Sequence, residues 1–169
     1  MDRNVEIKAR LSEFSSIQRK LARLTQAEPA LIEQEDVFFH TPQGRLKLRI
    51  FSESSGELIY YQRQDEPTPK ESQFMRAATS EPEKLRETLS AALGVRGIVR
   101  KVRMVYLVGQ TRVHLDEVEG LGKFIELEVM LDALQTVEQG AQIANELMLA
   151  LGIAEEQLVD RAYIDLLEG

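Results

Sequence analysis

The sequence contains no cysteine among its 169 residues, and no long apolar run. The first absence excludes disulfides and thiolate metal sites and favours a reducing compartment. The second excludes a membrane helix, which needs about 20 apolar residues. The start, MDRNVEIKAR, also lacks the apolar core of a signal peptide. We therefore expect a cytoplasmic protein with no membrane partner.

Positive charge is scarce as well: 21 Lys and Arg stand against 28 Asp and Glu, which gives a net charge of −7. This balance argues against a broad nucleic-acid surface, so no DNA partner is expected. A local basic cluster inside such an acidic protein would be informative. Because no repeat, low-complexity tract or linker interrupts the chain, we predict a single domain over residues 1–169.

Helical periodicity predicts four helices. The first covers residues 12–25 with Ser12 as its cap, and the second follows the capping box SEPE at residues 80–83. The third covers residues 137–151, and a short fourth helix covers residues 155–160.

Alternation of apolar and polar residues predicts eight strands between these helices. They cover residues 4–10, 36–41, 45–51, 57–64, 71–78, 98–108, 111–118 and 123–130. The turn sequences TPQG, ESSG and VGQT join several of them as hairpins. Antiparallel pairing is therefore expected.

Five of these strands separate charged from apolar side chains by face. In NVEIKAR, Glu6 and Lys8 share one face and Val5 and Ile7 share the other. A sixth strand, LIYYQR, follows the pattern less cleanly. The remaining charged faces gather Lys47 with Arg49, Lys101 with Arg103, Arg112 with His114 and Asp116, Glu126 with Glu128, and Arg63.

Two architectures fit this alternation. In an open sheet the charged face meets solvent and the apolar face packs on helices. In a closed barrel with helices outside, the charged faces line a lumen. Arginine recurs at the strand centres, and its guanidinium suits bidentate binding of phosphate or carboxylate. We therefore predict an α+β fold in which an eight-stranded antiparallel β-barrel forms a tunnel, with helices packed on its outside.

A lumen with many bases and a few acids suits a polyphosphate and its metal. The bases match a chain of phosphates, and the acids match a hard divalent cation, Mg²⁺ or Mn²⁺, which takes oxygen ligands. Together they can stabilise charge on a leaving phosphate.

These residues resemble a known family. VEIK is similar to the ExExK signature of the CYTH superfamily, the triphosphate tunnel metalloenzymes, which includes class IV adenylate cyclases, thiamine triphosphatases and inorganic triphosphatases. The resemblance continues through GRLKLR, LIYYQR, VRKVR, TRVHLDEVEGLGKFIELEV and YIDLL. It is greatest for the cyclase-like branch. It implies an eight-stranded tunnel, a triphosphate substrate and a divalent metal.

The charged residues then receive expected roles. Glu6 and Lys8 are the expected catalytic residues. The expected substrate ligands are Lys8, Lys47, Arg49, Arg63, Lys101, Arg103 and Arg112. The expected metal ligands are Glu6, Asp116, Glu126 and Glu128, although Asp116 is as well suited to orienting a base. His114 is expected to form hydrogen bonds inside the lumen rather than to act as a general base.

Two positions depart from the family pattern. Asn4 stands where the signature has its first Glu, and an amide oxygen brings no charge to a metal. Ala162 precedes Tyr163, where the family often has Ser. Tyr163 itself either covers a tunnel mouth or belongs to the core.

Three classes of function remain open. The first is a metal-dependent enzyme acting on ATP, tripolyphosphate or thiamine triphosphate, either as an adenylate cyclase that releases pyrophosphate or as a triphosphatase. The second is a non-catalytic module that binds nucleotide or polyphosphate, which Asn4 favours. The third is an adaptor without a ligand. The sequence is also compatible with a homodimer.

Overall fold

The chain folds as a closed β-barrel, and our computed structural model describes residues 1–63 and 68–169 of it. Its strands are β1 Asp2–Leu11, β2 Ala30–Phe39, β3 Arg45–Ser52, β4 Ser55–Arg63, β5 Lys70–Thr79, β6 Val95–Val108, β7 Thr111–Val118 and β8 Gly122–Met130. Around the barrel they follow the order β1-β5-β4-β3-β2-β6-β7-β8, and β8 pairs with β1. Every neighbouring pair is antiparallel. The predicted eight-stranded barrel is confirmed, and residue 64 of the predicted fourth strand lies outside the described residues.

The helices are α1 Ser15–Leu24, α2 Pro82–Leu93, α3 Val137–Leu151 and α4 Tyr163–Glu168, with a one-turn 3₁₀ helix at Glu155–Gln157. The prediction of a helix over residues 155–160 is wrong, because only this single turn forms there. The terminal helix α4 was not predicted. Its six residues are too few to show a periodic pattern.

Both predicted helix caps differ in the structure. Helix α1 begins three residues after Ser12, and the Glu13 side chain accepts the backbone N–H of Ser16 instead. Helix α2 has Glu81 as its N-cap, with no side-chain hydrogen bond, so the SEPE capping box does not form. The Thr79 hydroxyl accepts the Glu81 N–H and turns the chain into the helix.

Helices cover the apolar outer faces of the barrel. Ile7 and Leu127 of the barrel pack with Leu21 of α1 and Leu151 of α3 in one buried cluster. On the other side, Leu85 and Leu89 of α2 pack on Val37 and Leu48. The charged faces consequently point into the barrel, which rejects the open solvated sheet. Among the described residues, no helix combines the length and apolar character needed to cross a membrane.

Strand β2 is longer than predicted and begins at Ala30, where it pairs with Val105 of β6. Its outer face carries Glu33 and Glu35, which obscure the alternation in the sequence ALIEQEDVFF. The extension matters for function because it adds Ile32 and Gln34 to the inner wall.

Helix α4 closes one end of the barrel. There the inner faces become apolar, and Phe38, Val99 and Phe124 pack against Tyr163 and Ile164. A Cβ on Gly97 would lie 2.5 Å from the Ile164 Cδ1 atom. A larger residue at position 97 would therefore require the end of the Ile164 side chain to move.

Candidate functional site

The inner faces of the strands enclose a cavity of about 290 Å³. All seven bases predicted to bind substrate line it: Lys8, Lys47, Arg49, Arg63, Lys101, Arg103 and Arg112. The acids Glu6, Glu126 and Glu128 line it too, as does His114. The alternation of the strands therefore brings ten of the eleven residues predicted from the sequence, and His114, to one place; Asp116 is the exception.

Asp36 lies among the bases of one part of the cavity, here called the floor. The floor consists of Lys47, Arg49, Lys101 and Arg103, and the sequence analysis did not identify Asp36. It is 1% exposed and accepts two hydrogen bonds from Arg49, at 2.8 and 2.9 Å, and one from Lys101 at 3.1 Å. Lys47 Nζ lies 3.4 Å from the same carboxylate. Burial alone would raise the pKa of Asp36, but Arg49, Lys101 and Lys47 outweigh it and hold the pKa well below its ordinary value. A permanently charged Asp36 thus positions three bases.

A signal for Asp36 exists in the sequence. Asp36 opened the predicted second strand, so it had no alternation before it to mark its face. Extending the alternation back from Phe38 through Asp36 and Gln34 to Ile32 assigns all four to the inner face, as observed.

Asp116 holds Arg103 in position in the same way. Its two oxygens accept the Nε and Nη2 hydrogens of Arg103, each at 2.7 Å, and the Tyr163 hydroxyl donates to it at 2.7 Å. Burial raises the pKa of Asp116, but Arg103 more than offsets it and the pKa lies below its ordinary value. Asp116 is fully buried behind the cavity wall, apart from the other three acids. These contacts favour the orienting role over metal ligation.

Two lysines that line the cavity, Lys8 and Lys47, have lowered pKa values. Lys8 donates to the Arg161 carbonyl at 3.2 Å and lies 3.8 Å from the centre of the Tyr163 ring. Burial lowers the pKa of Lys8 to about 7, although Glu126 opposes this shift. Burial, together with Arg49, also lowers the pKa of Lys47 to about 7. A bound polyanion would restore the full charge of both lysines.

Glu6, Glu126 and Glu128 form an acidic wall on β1 and β8. Glu6 and Glu128 stand directly opposite each other across the strand pair, a placement that is unfavourable for like charges. Arg63 lies 3.2 Å from Glu6 and partly neutralises it, and the His114 ring lies 3.8 Å from Glu128. Burial raises the pKa of Glu126, but Lys8 and then His114 outweigh it and keep the pKa well below its ordinary value.

This wall carries the oxygen donors that Mg²⁺ and Mn²⁺ prefer. In the described part of the chain, no group of three acidic or histidine side chains lies close enough together to hold an ion. The Asn4 side chain nevertheless indicates an ion site, because its Oδ1 atom is buried without a hydrogen-bond partner among the described residues, while its Nδ2 donates to Glu6. The donor chemistry of Asn4, Glu6 and Glu128 therefore fits a divalent cation.

Comparisons with known proteins agree with this geometry. The family model for the CYTH domain matches residues 2–163. A protein named adenylate cyclase CyaB, from Aeromonas hydrophila, is 30% identical over 97% of this chain and 88% of its own length. The PH1012 protein of Pyrococcus horikoshii OT3 has a similar structure, with a TM-score of 0.85 and 28% identity, covering 96% of this chain and 98% of that one. The structure of HpAC1 from Hippeastrum, described as having a dominant triphosphatase activity, matches in fold, with a TM-score of 0.69 and 18% identity over 98% of this chain and 95% of that one.

Proposed function

The chain belongs to the CYTH domain family, and on that premise we propose that it is a divalent-metal-dependent enzyme that converts ATP into cyclic AMP and pyrophosphate. The observation that carries the proposal is the floor of the tunnel. There Asp36 and Asp116 hold Arg49, Lys101 and Arg103 in fixed positions around a cavity that the family uses for triphosphates.

The floor supplies preorganised charge for the phosphates. Arg49 and Arg103 each make a bidentate contact to a buried aspartate, so their orientation is fixed before substrate arrives. Groups that are already oriented need no rearrangement as charge moves onto a leaving phosphate. In the cyclase reaction the ribose 3′-hydroxyl attacks the α-phosphorus, and the leaving group is the pyrophosphate that these arginines would hold.

The acidic wall complements the floor. A divalent cation bound by Glu6, Glu128 and the Asn4 oxygen would neutralise phosphate charge during transfer. Lys8 lies between the wall and the floor, 3.7 Å from Glu126. With a pKa of about 7, it can hold or release a proton beside the reacting phosphate near neutral pH. These positions support the catalytic roles proposed for Glu6 and Lys8.

Triphosphate hydrolysis is the second candidate. The observation in its favour is that the basic floor is complete without any contact to a nucleoside, so tripolyphosphate or thiamine triphosphate would meet the same bases. In that reaction water, rather than a ribose hydroxyl, attacks the terminal phosphorus.

Product analysis separates these candidates. The protein is incubated with ATP, tripolyphosphate or thiamine triphosphate, each with Mg²⁺ or Mn²⁺. We expect cyclic AMP and pyrophosphate from ATP, whereas ADP and orthophosphate would support the hydrolase. Arg49→Met should lower the rate at least 100-fold. The matched control is Arg86→Met on α2, an arginine paired with Glu35 outside the tunnel, and it should retain activity. Absence of turnover with every substrate would refute both enzymes and leave a binding module.

A further inference from the structure

The side chains that line the cavity differ between its two sides. Strands β1 and β8 carry the acids, and the barrel order places β2 and β3 on the opposite side. That opposite side, with β6, carries the basic floor, and beside the floor residues it lines the cavity with the half-buried apolar side chains of Ile32, Phe51 and Val105. Neither phosphates nor a metal ion gain from apolar contacts. These three apolar side chains therefore have no part in the function argued so far.

Gln34 lies at the border between these apolar side chains and the basic floor. It lies between Ile32 and Asp36 on the inner face of β2, opposite Lys101. Strand β3 pairs with β2 as far as Glu35 and Ile50, and Phe51, the next residue of β3, lines the same cavity as Gln34. Gln34 is 7% exposed, and its Oε1 atom is buried without a hydrogen-bond partner among the residues described. Buried amides are normally paired, so an unpaired one facing a cavity points to a ligand.

We propose that Ile32, Gln34, Phe51 and Val105 form a nucleobase subsite, here called the base wall, and that Gln34 selects adenine. The inference rests on the proposed function, because the base enters the tunnel attached to the triphosphate. Phe51 provides an aromatic face on which a base stacks, and Ile32 and Val105 contact its edges. The floor, the acidic wall and the base wall then each bind a different part of one nucleotide.

The chemistry of the amide decides which base is preferred. A glutamine side chain presents one acceptor and one donor side by side. The N6 amino group and N7 of adenine present the complementary donor and acceptor, whereas the same edge of guanine presents two acceptors, O6 and N7. Gln34 can therefore form two hydrogen bonds with adenine but only one with the same edge of guanine. A site that hydrogen-bonds one substrate rejects an analogue that leaves its buried groups unpaired.

Binding measured without divalent metal tests the base wall apart from catalysis. Calorimetric titrations use ATP, GTP and tripolyphosphate against the wild type, Gln34→Leu and Gln34→Asn. The wild type should bind ATP at least tenfold more tightly than GTP. Both substitutions should remove most of that preference by weakening ATP at least tenfold, with tripolyphosphate changed less than about twofold. Phe51→Ala should weaken ATP and GTP alike, because stacking does not distinguish them.

The matched control is Gln73→Leu, the same substitution at an exposed position of β5, which should leave all three affinities unchanged. Equal weakening of ATP and tripolyphosphate in the Gln34 variants would overturn the inference, because Gln34 would then act through the phosphate floor. A wild type that binds ATP no better than GTP would overturn the selection of adenine. If tripolyphosphate itself fails to bind the wild type, the proposed function fails as well. Gln34→Asn keeps the amide and shortens it by one methylene, so it supplies the answer if Gln34→Leu does not fold.

Discussion

Asn4 places an amide among the carboxylates of the acidic wall, where the family signature has a Glu. Its contacts show the effect of this difference. Its Nδ2 donates to Glu6 at 3.2 Å, while its Oδ1 has no partner among the described residues. The amide thus avoids a second negative charge beside Glu6, and it leaves one neutral oxygen for a cation. An acid at this position would repel Glu6 until a metal arrived.

Asn4→Asp keeps the size of the side chain and adds a negative charge. It therefore tests whether residue 4 contributes to metal binding. Without metal, Asn4→Asp should lower the melting temperature, because it loses the hydrogen bond to Glu6 and adds a like charge. Adding Mn²⁺ should restore the melting temperature, and the Mn²⁺ concentration for half-maximal activity should fall several-fold, since affinity for hard cations grows with ligand charge. Metal titrations followed by thermal unfolding and by turnover measure both. Identical titrations of the two proteins would place residue 4 outside the metal shell.

Lys47 makes binding dependent on pH. Its pKa of about 7 means that at pH 8 most of the ligand-free protein carries a neutral amine there. A bound polyanion raises that pKa, so tripolyphosphate binding at pH 8 should take up protons, and its affinity should fall as pH rises above 7. Calorimetry in two buffers of different ionisation enthalpy measures the uptake. Lys47→Met should reduce both effects, whereas Lys84→Met on the exposed surface of α2 should change neither. Proton release on binding would contradict this account.

Helix α4 shows how a short element can be held by charge. Asp165 accepts hydrogen bonds from Arg45 and Arg96 at 2.6 Å each, and its carboxylate also caps the helix at the Ala162 N–H. Burial raises the pKa of Asp165, but Arg45 and Arg96 outweigh it, so the carboxylate stays charged. These contacts fix Tyr163, whose hydroxyl donates to Asp116 beneath the phosphate floor. This end of the barrel is therefore closed by ion pairs as well as by apolar packing. The contacts of Asp165 with Arg45 and Arg96 are called the clamp below.

Asp165→Asn should loosen this clamp. The change removes the negative charge that both arginines contact, and we expect a loss of about 1.5–3 kcal/mol of stability, the usual net contribution of hydrogen bonds to charged groups. Hydrogen exchange should accelerate in residues 162–168 before the rest of the barrel. Glu168→Gln is the control, because Glu168 contacts Arg96 at the solvent-exposed end of the same helix; its effect should be smaller. Uniform acceleration along the whole chain would show that α4 has no separate clamp.

The elements that could be predicted from the sequence are those with a local signal. Strict alternation in RLKLRIF and TRVHLDE assigned Lys47, Arg49 and Arg112 to the inner face, and the tunnel confirms that placement. Two signals were too weak. Strand β2 mixes polar residues on both faces, which hid Gln34 and Asp36, and α4 is stabilised by Arg45 and Arg96, more than 60 residues away in the chain. Contacts so distant in sequence leave no local periodicity to read.

At the scale of the whole molecule, the barrel concentrates positive charge inside a protein whose net charge is −7. Buried aspartates hold the arginines of the floor in place, and burial lowers the pKa of Lys8, Lys47 and Lys101. A bound polyanion favours the protonated form of these lysines and neutralises the arginines. Ligand binding should therefore stabilise the whole barrel, since all eight strands meet at the cavity.

The most direct measurement of this claim is thermal unfolding with tripolyphosphate or orthophosphate at equal ionic strength. A ligand at a hundredfold excess over its Kd stabilises the folded state by about 2.7 kcal/mol. For a chain of this size that corresponds to a rise of about 5–10 °C in Tm. We predict this rise for tripolyphosphate, and a much smaller one for orthophosphate, which contacts only part of the floor. An equal response to both salts would mean simple screening, and it would contradict the tunnel as a triphosphate site.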